Sequence, residues 1–253
     1  MVLELIILAT AFVSLVSLIS IFFLSTKVKI EPILFYLVSF ATGTLLGAAF
    51  FDLLPEAIEG IQIEGALFLA FAGLMVFFAL EKIILWHHHH HSHVKLNKGK
   101  NAREKPLGYL NLIGDGLHNF FDGIAIAAAF IASPPVGIAT TLAITLHEIP
   151  QEIGDFSLLI SSGFSVKKAL LLNLLVGLAA IAGGILFFYF SNLIANLQSY
   201  GLAFTAGMFL YIATVDLVPE LQKETKVKHS IAQLLLILLG AATIWLIANT
   251  LGV

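Results

Sequence analysis

The chain has 253 residues, of which 59% are hydrophobic and 11% are charged. Soluble domains carry roughly 25% charged residues, so this chain has too little polar surface to face water on all sides. Its net charge of −3 does not provide the dense basic face that nucleic-acid binding needs, which excludes nucleic acid as a partner. The chain has no cysteine, so any metal site must use imidazole, carboxylate, amide or backbone groups.

Eight apolar runs are long enough to cross a membrane as helices, which takes roughly 20 mostly apolar residues each. Their predicted bounds are 2–24, 32–54, 63–85, 108–132, 136–161, 168–190, 201–218 and 231–251. The first run lacks a basic start and is too long for the apolar core of a secretory signal peptide. The sequence therefore predicts an all-α integral membrane protein with eight transmembrane helices, a single membrane domain over 1–253 embedded in the lipid bilayer.

The basic residues predict the orientation of these helices. All 13 Lys and Arg residues lie in the loops that follow helices 1, 3, 5 and 7 or at the helix ends beside those loops, and so on one side of the membrane. The loops of the other side contain Glu56, Glu59 and Glu64 and no basic residue. Because cytoplasmic loops are enriched in Lys and Arg, we expect both termini to be extracellular. The short chain without long loops favours a prokaryotic plasma membrane.

Helices 2 and 7 contain a repeated pattern. Segments 40–56 and 204–220 share Phe, Gly, Asp, Leu, Pro and Glu in the same register. Since one helix runs outward and the other inward, the copies have opposite orientations, as in transporters built from inverted halves. We therefore expect a 3+2+3 arrangement, in which helices 1–3 and 6–8 are inverted repeats around a central pair. The alternative is a helix exit signal that is used twice.

Helix 4, in the central pair, carries ionisable residues near the middle of its span. Such residues are costly inside a membrane and are functional candidates for that reason. At 3.6 residues per turn, His118 stacks on Asp122, and Asn119 lies at the edge of the same face. Asp115 lies one turn before His118, where it is a candidate for the transport path.

Helix 5 has a matching set of polar residues. His147 stacks on Gln151, and Glu148 stacks on Glu152. Asp155 continues this stripe as a second candidate for the transport path. Two such faces turned toward each other form a cage of imidazole, carboxylate and amide groups, which a dehydrated cation requires and hydrocarbon does not. The alternative is a buried polar network that only holds the helices together.

Two imidazoles with several carboxylates suit borderline divalent cations. We expect Zn²⁺ as the transported substrate, with Fe²⁺, Mn²⁺, Co²⁺ and Cd²⁺ as weaker candidates, and no organic cofactor. Pro150 removes one helical hydrogen bond and lets helix 5 bend within this motif. The function predicted is zinc uptake toward the cytoplasm through a site between helices 4 and 5, at the middle of the membrane.

These residues resemble the ZIP family of zinc- and iron-regulated-transporter-like proteins. The stretch from His118-Asn119 to Asp122-Gly123 matches the family's helix-4 motif, and 147–152 matches its helix-5 motif. The resemblance implies a binuclear metal site and a homodimer in which helices 1, 4, 5 and 6 slide against helices 2, 3, 7 and 8. The positions that match the family's metal ligands are His118, Asn119, Asp122, His147, Glu148 and Gln151.

Gln151 departs from the similar branch of the family, which has histidine at this position. Because an amide is a neutral and weaker ligand, we expect one metal position to be weak or to prefer another ion. The glutamine also bears on the rival interpretation, an intramembrane metalloprotease with a His-Glu-x-x-His motif. Gln151 replaces the second histidine of that motif, so we do not expect an enzyme. A metal-gated channel or receptor is the other alternative.

A histidine-rich loop is predicted over 87–105, on the cytoplasmic side of helix 3. Its histidines are His87, His88, His89, His90, His91 and His93. We interpret them as a site of transient metal capture or sensing at the pore exit. The alternatives are an internal purification tag and a soluble tract without a role. The polar composition of the segment predicts disorder.

Overall fold

A computed structural model of the chain describes residues 1–16, 18–19, 31–92 and 105–251, without the side chains of 31–33, 83–92, 105–107 and 251. Every regular element within these ranges is helical. The eight helices, numbered as in the sequence, are α1 (Val2–Val16), α2 (Glu31–Ala48, a π-helical stretch Ala49–Leu53, and Leu54–Gly60), α3 (Ile63–Ser92), α4 (Lys105–Ala132), α5 (Pro134–Ser161), α6 (Val166–Gly177 and Ala179–Ser191), α7 (Leu197–Tyr211, a π-helical stretch Ile212–Leu217, and Val218–Leu221) and α8 (Val227–Leu251).

Among the described residues, five helical segments are long and apolar enough to cross a membrane. They are Leu34–Gly60, Ile63–Lys82, Val166–Ser191, Leu197–Leu221 and Val227–Thr250. The central helices α4 and α5 are absent from this set because their clustered polar residues lower the mean hydropathy of each helix. The predicted all-helical fold and the multi-pass membrane character are confirmed.

Within the described residues, the largest difference from the predicted helix bounds is at the end of α3. α3 continues past the predicted end at 85 to Ser92, so 87–92 of the predicted disordered loop are helical. Adding a residue to an existing helix is far easier than starting one, which explains why polar residues extend α3. The rest of the loop up to 104, including His93, lies outside the described residues, as does 20–30 at the end of predicted helix 1.

A π-helical stretch occurs in both copies of the repeated pattern. Asp52 lies in the first and Asp216 in the second, and each stretch is followed by a proline, Pro55 or Pro219. Proline has no N–H and crowds the carbonyl four residues before it, which a wider π turn accommodates. The repeated pattern therefore marks the same local structure in α2 and α7, and not only a helix exit.

Glycines bring the backbones of several helices into direct contact. Where α2 crosses α8, a Cβ on Gly43 would overlap the carbonyl oxygen of Ile237, and one on Gly240 would overlap that of Phe40. The crossings of α3 with α7 and of α4 with α6 have the same reciprocal contacts, which pair Gly73 with Phe204, Gly207 with Ala70, Gly123 with Ala180, and Gly183 with Phe120. Small residues permit such close approach in membrane helices.

The helices form a core around the central pair. α4 packs against α5, α6 and α1, while α2 packs on α8 and α3 packs on α7. α5 also contacts α2, and α4 contacts α7. The facing surfaces of α4 and α5 therefore lie in the interior of the bundle, enclosed by helices on several sides.

Candidate metal centre

Four side chains of α4 and α5 meet in the interior of the bundle. His118, Asp122, His147 and Glu148 each offer one ligand atom, and these atoms all lie within 4.8 Å of one another. Asp122 is fully buried, and His147 and Glu148 are each 1% exposed. α4 and α5 are joined by a short turn at Ser133, so they run antiparallel and their mid-span residues face each other.

The spacing of these atoms resembles a coordination tetrahedron. The two Nε2 atoms of His118 and His147 are 3.1 Å apart. The Nε2 atom of His118 lies 3.6 Å from Asp122 Oδ2 and 3.3 Å from Glu148 Oε1, and that of His147 lies 3.6 Å from each of the same oxygens. A tetrahedron with zinc–ligand bonds of about 2.0–2.1 Å has edges of about 3.4 Å. The arrangement therefore fits a zinc-sized cation.

The tautomer of His147 is fixed by a backbone group. Its Nδ1 lies 3.1 Å from the carbonyl oxygen of Ala143, one turn earlier in α5. Since a carbonyl oxygen only accepts hydrogen bonds, Nδ1 carries the proton and Nε2 presents its lone pair to the cluster. A partner on the second ring nitrogen is typical of histidines that bind metals.

The carboxylates of the cluster have oxygens without a hydrogen-bond partner. Both side-chain oxygens of Asp122 are buried and make no hydrogen bond, and Glu148 Oε1 is buried with only the 3.3 Å contact to His118 Nε2 described above. Buried polar groups are nearly always satisfied, and an unpaired buried charge is costly. A cation among these oxygens would remove that cost.

A cavity of about 400 Å³ leads away from the cluster. His118 and His147 border it, and its other residues on α4 and α5 lie on only one side of them, in 111–117 of α4 and 150–155 of α5. That side is the one whose loops contain the Lys and Arg residues. Toward the opposite side the bundle is filled by buried apolar side chains such as Ile126, Ile144 and Phe209. The cavity therefore reaches the cluster from the end of the bundle that carries the basic loops, and buried apolar side chains fill the other end.

The structure places the remaining predicted site residues around this cluster. Gln151, Asp115 and Asp155 border the cavity. Asn119 is 1% exposed, and its Nδ2 donates a hydrogen bond of 2.8 Å to Asp115 Oδ1. Glu152 is also buried but does not belong to the four-ligand group. The side chains of His87 to His91 and of His93 lie outside the described residues.

Two asparagines were not identified by sequence reasoning. Asn173 of α6 is fully buried, and its Nδ2 donates a hydrogen bond of 2.8 Å to Glu152 Oε2. Asn111 of α4 donates through Nδ2 to Asp155 Oδ1 at 2.9 Å. The available signal was an amide inside an otherwise apolar span, which in a membrane needs a buried partner.

Comparison with known proteins identifies the family. The model of the family described as "ZIP Zinc transporter" matches residues 2–108 and 86–248. Zinc transporter zipt-7.2 of Caenorhabditis elegans is 43% identical over 57% of this chain and 32% of that protein. Zinc transporter YKE4 of Saccharomyces cerevisiae is 34% identical over 73% of this chain and 60% of that protein.

Human zinc transporter ZIP13 is 34% identical to the chain, over 81% of this chain and 68% of the human protein. The chain spans about a third to two thirds of the length of several curated relatives. The family consists of zinc transporters and not of enzymes, which sets the metalloprotease alternative aside. The family model covers most of the chain, and the chain therefore belongs to the ZIP zinc transporter family.

Proposed function

We propose that this protein transports zinc across a membrane, toward the cytoplasm, through the cluster between α4 and α5. The observation that carries the proposal is the near-tetrahedral set of two imidazole nitrogens and two carboxylate oxygens. The cluster is largely buried, contains carboxylate oxygens without a hydrogen-bond partner and borders a cavity that extends from it toward one end of the bundle. Relatives whose names identify them as zinc transporters support the same cargo.

The donor set also favours an exchangeable ion. Thiolate ligands are absent from the chain, and a mixed imidazole and carboxylate site holds zinc less firmly than a cysteine-rich site. Fe²⁺, Mn²⁺, Co²⁺ and Cd²⁺ are weaker substrates in this proposal. Asn119, Gln151 and Glu152 lie close in sequence to the four ligands and are proposed to contribute to a second metal position.

We further propose the inverted 3+2+3 architecture with both termini outside the cell. The two π-helical stretches occupy equivalent positions in α2 and α7. Under the repeat, Gly43 and Phe40 of α2 correspond to Gly207 and Phe204 of α7, and each pair makes reciprocal contacts with another helix. The cavity then opens to the cytoplasm, and the chain resides as a homodimer in a prokaryotic plasma membrane. Cysteine accessibility at each loop tests the orientation, and cross-linking in membranes tests the dimer.

The histidines of 87–93 are proposed to capture zinc transiently where it leaves the cavity. Because the cluster inside the membrane already supplies a binding site, deletion of 87–93 should reduce the rate of uptake or its regulation only modestly. Complete loss of uptake in a folded deletion protein would make this segment an obligatory part of the path.

Zinc uptake into liposomes by the purified protein tests the central proposal. Wild-type uptake should saturate with zinc concentration, while His118→Ala and Asp122→Ala should reduce it to the level of empty liposomes. His229→Ala is the matched control, because His229 lies outside the cluster near the start of α8; it should transport normally. Equal elution and melting of all variants establishes that they are folded.

The outcomes separate the alternatives. Normal uptake by His118→Ala would overturn the site. A flux that rises linearly with zinc concentration without saturation would indicate a channel. Zinc binding without any flux would indicate a receptor.

A further inference from the structure

A second pair of carboxylates borders the cavity beyond the four-ligand cluster. Asp115 precedes His118 by one turn of α4, and Asp155 lies two turns beyond His147 in α5, both toward the side to which the cavity opens. One helical turn advances about 5.4 Å. The pair is therefore displaced from the cluster along the path that an ion would follow through the cavity.

In each of these carboxylates, one oxygen accepts a hydrogen bond and the other has no hydrogen-bond partner. Asn119 donates to Asp115 Oδ1 at 2.8 Å, and Asn111 donates to Asp155 Oδ1 at 2.9 Å. The Oδ2 atoms of both aspartates are buried and have no hydrogen-bond partner. Asp115 as a whole is 5% exposed. A network that only held helices together would satisfy both oxygens, whereas these two Oδ2 atoms remain free to bind a ligand in the cavity.

The charges around the pair favour a cation as that ligand. Asp115 interacts electrostatically with Asp155 and with a third carboxylate, that of Glu148, and the one cationic group that acts on both aspartates is the imidazole of His118. Among the described residues that border the cavity, none is a lysine or an arginine. The amide of Gln151, which borders the same cavity, is neutral. Buried anions of this kind are normally paired or coordinate a metal.

We propose that Asp115 and Asp155 form a separate cation site in the cavity, built from oxygen ligands and distinct from the metal position proposed for Asn119, Gln151 and Glu152. This site receives the ion from the imidazole cluster and passes it to the cytoplasm. This inference rests on the proposed transport function. Oxygen ligands suit hard cations and bind zinc less tightly than imidazole does. The ion therefore moves from a tighter site to a looser and partly hydrated one, which favours release. The cavity supplies the water that completes the shell.

Mn²⁺ is the probe for this site, because it favours oxygen ligands and its EPR signal reports binding directly. The titration uses detergent-purified His118→Ala, in which the imidazole cluster has lost one of its four ligands. One weak class of bound Mn²⁺ should remain in this protein. Adding Asp155→Asn or Asp115→Asn should abolish that class, whereas Asp216→Asn, a cavity residue on α7, should leave it unchanged.

Transport by the single variants gives a second readout. In the otherwise wild-type chain, Asp155→Asn should lower the maximal rate of zinc uptake by about tenfold and leave the zinc concentration at half-maximal rate nearly unchanged, since release and not capture is impaired. Asn111→Ala, which frees Asp155 Oδ1, should have a smaller effect in the same direction. A purely structural role would lower the melting temperature without this separation of rate and affinity.

Two results would overturn the proposal. The first is an unchanged Mn²⁺ class in both aspartate variants. The second is the lack of any Mn²⁺ class in folded His118→Ala, which would make a shared proton the occupant of the pair. The Mn²⁺ titration measures binding without transport, so it tests the Asp115 and Asp155 site separately from the proposed function. A failure of the proposed function would instead appear as normal zinc uptake by His118→Ala.

Discussion

The helix pairs α4/α5 and α2/α7 both contain acidic residues within apolar helices, but only one pair assembles a cluster. Asp52 of α2 and Asp216 of α7 occupy separate π-helical stretches, and neither belongs to a group of metal-ligating side chains among the described residues. In α4/α5, by contrast, acids and imidazoles of two antiparallel neighbours converge. This difference shows that a buried acidic residue alone does not make a metal site. Two adjacent helices must also present their ligands at the same depth in the bundle.

The two regions nevertheless share their packing geometry, and breaking it should have the largest effect. Gly123→Ala at the α4–α6 crossing and Gly207→Ala at the α3–α7 crossing would each drive a methyl group into a backbone carbonyl, of Ala180 and Ala70 respectively. Backbone cannot move aside as a side chain can, so each change should destabilise the fold by about 3 kcal/mol. The yield of folded protein and its melting temperature in detergent measure this loss.

Matched glycines in the same regions provide the controls. A Cβ on Gly116 of α4 would lie 3.5 Å from a methyl group of Val176, and one on Gly65 of α3 would have nothing within 4 Å. Gly116→Ala and Gly65→Ala should therefore fold as the wild type does. Equal melting of Gly123→Ala and Gly116→Ala would show that the helices do not approach as closely as described.

Neutralising one aspartate in α4 and one in α2 tests whether only the pair α4/α5 binds zinc. Asp122→Asn removes a charge from the cluster and should weaken zinc binding by about 100-fold, equivalent to about 3 kcal/mol. Asp52→Asn should leave zinc affinity nearly unchanged, although Asp52 is only 3% exposed and its Oδ2 also lacks a hydrogen-bond partner. Competition with a zinc chelator measures both affinities. A comparable loss of zinc affinity in Asp52→Asn would mean that α2 contributes to the metal centre, contrary to the difference described between the two helix pairs.

The helical period explains why much of the cluster was accessible from the sequence. It places His118 over Asp122 on one face of α4, and the structure has them on one face, 3.6 Å apart at Nε2 and Oδ2. The partner of Glu152 was not accessible in this way, because Asn173 lies on another helix and sequence spacing carries no information about tertiary neighbours. The π-helical stretches were missed for a related reason, since a period of 3.6 residues assumes a regular helix.

A residue at the border of the cluster allows a smaller change. Gln151 follows His147 by one turn of α5 and borders the cavity, so Gln151→His should add an imidazole to the zinc ligands. Zinc prefers such nitrogen ligands more than manganese does. Apparent zinc affinity should rise about tenfold, the maximal uptake rate should fall because release is slower, and discrimination against Mn²⁺ should increase.

Uptake curves for zinc and manganese in the same liposomes measure these effects. Gln222→His is the control, because Gln222 is an exposed residue between α7 and α8. It should change neither affinity nor selectivity. If Gln151→His also changes neither, Gln151 does not reach the metal, and the proposed register of α5 is wrong.

The smallest effect on transport is expected for a histidine–carboxylate pair that lies outside the buried cluster, near the start of α8. His229 Nδ1 donates a hydrogen bond of 2.7 Å to Glu224 Oε2 in the loop before α8, and Glu224 Oε1 accepts from the backbone of Thr225 and Lys226. The hydrogen bond from His229 lowers the pKa of Glu224 below its ordinary value of 4.5. Because the pKa of Glu224 is lower in the folded state, its hydrogen bonds stabilise the folded protein above pH 4.5, and this stabilisation is lost as the pH falls below that value.

Exposed ion pairs contribute little because water competes for both partners. Glu224→Gln should therefore leave zinc uptake and melting temperature unchanged at pH 7, and should only accelerate hydrogen exchange of the Thr225 and Lys226 amides. Wild-type protection of these amides, corrected for intrinsic rates, should disappear below pH 4.5, while Glu59→Gln on the opposite face should have no effect there. A loss of uptake in Glu224→Gln would contradict this prediction, because a partly exposed histidine–carboxylate pair would then be needed for transport, as the buried pair of His118 and Glu148 is expected to be.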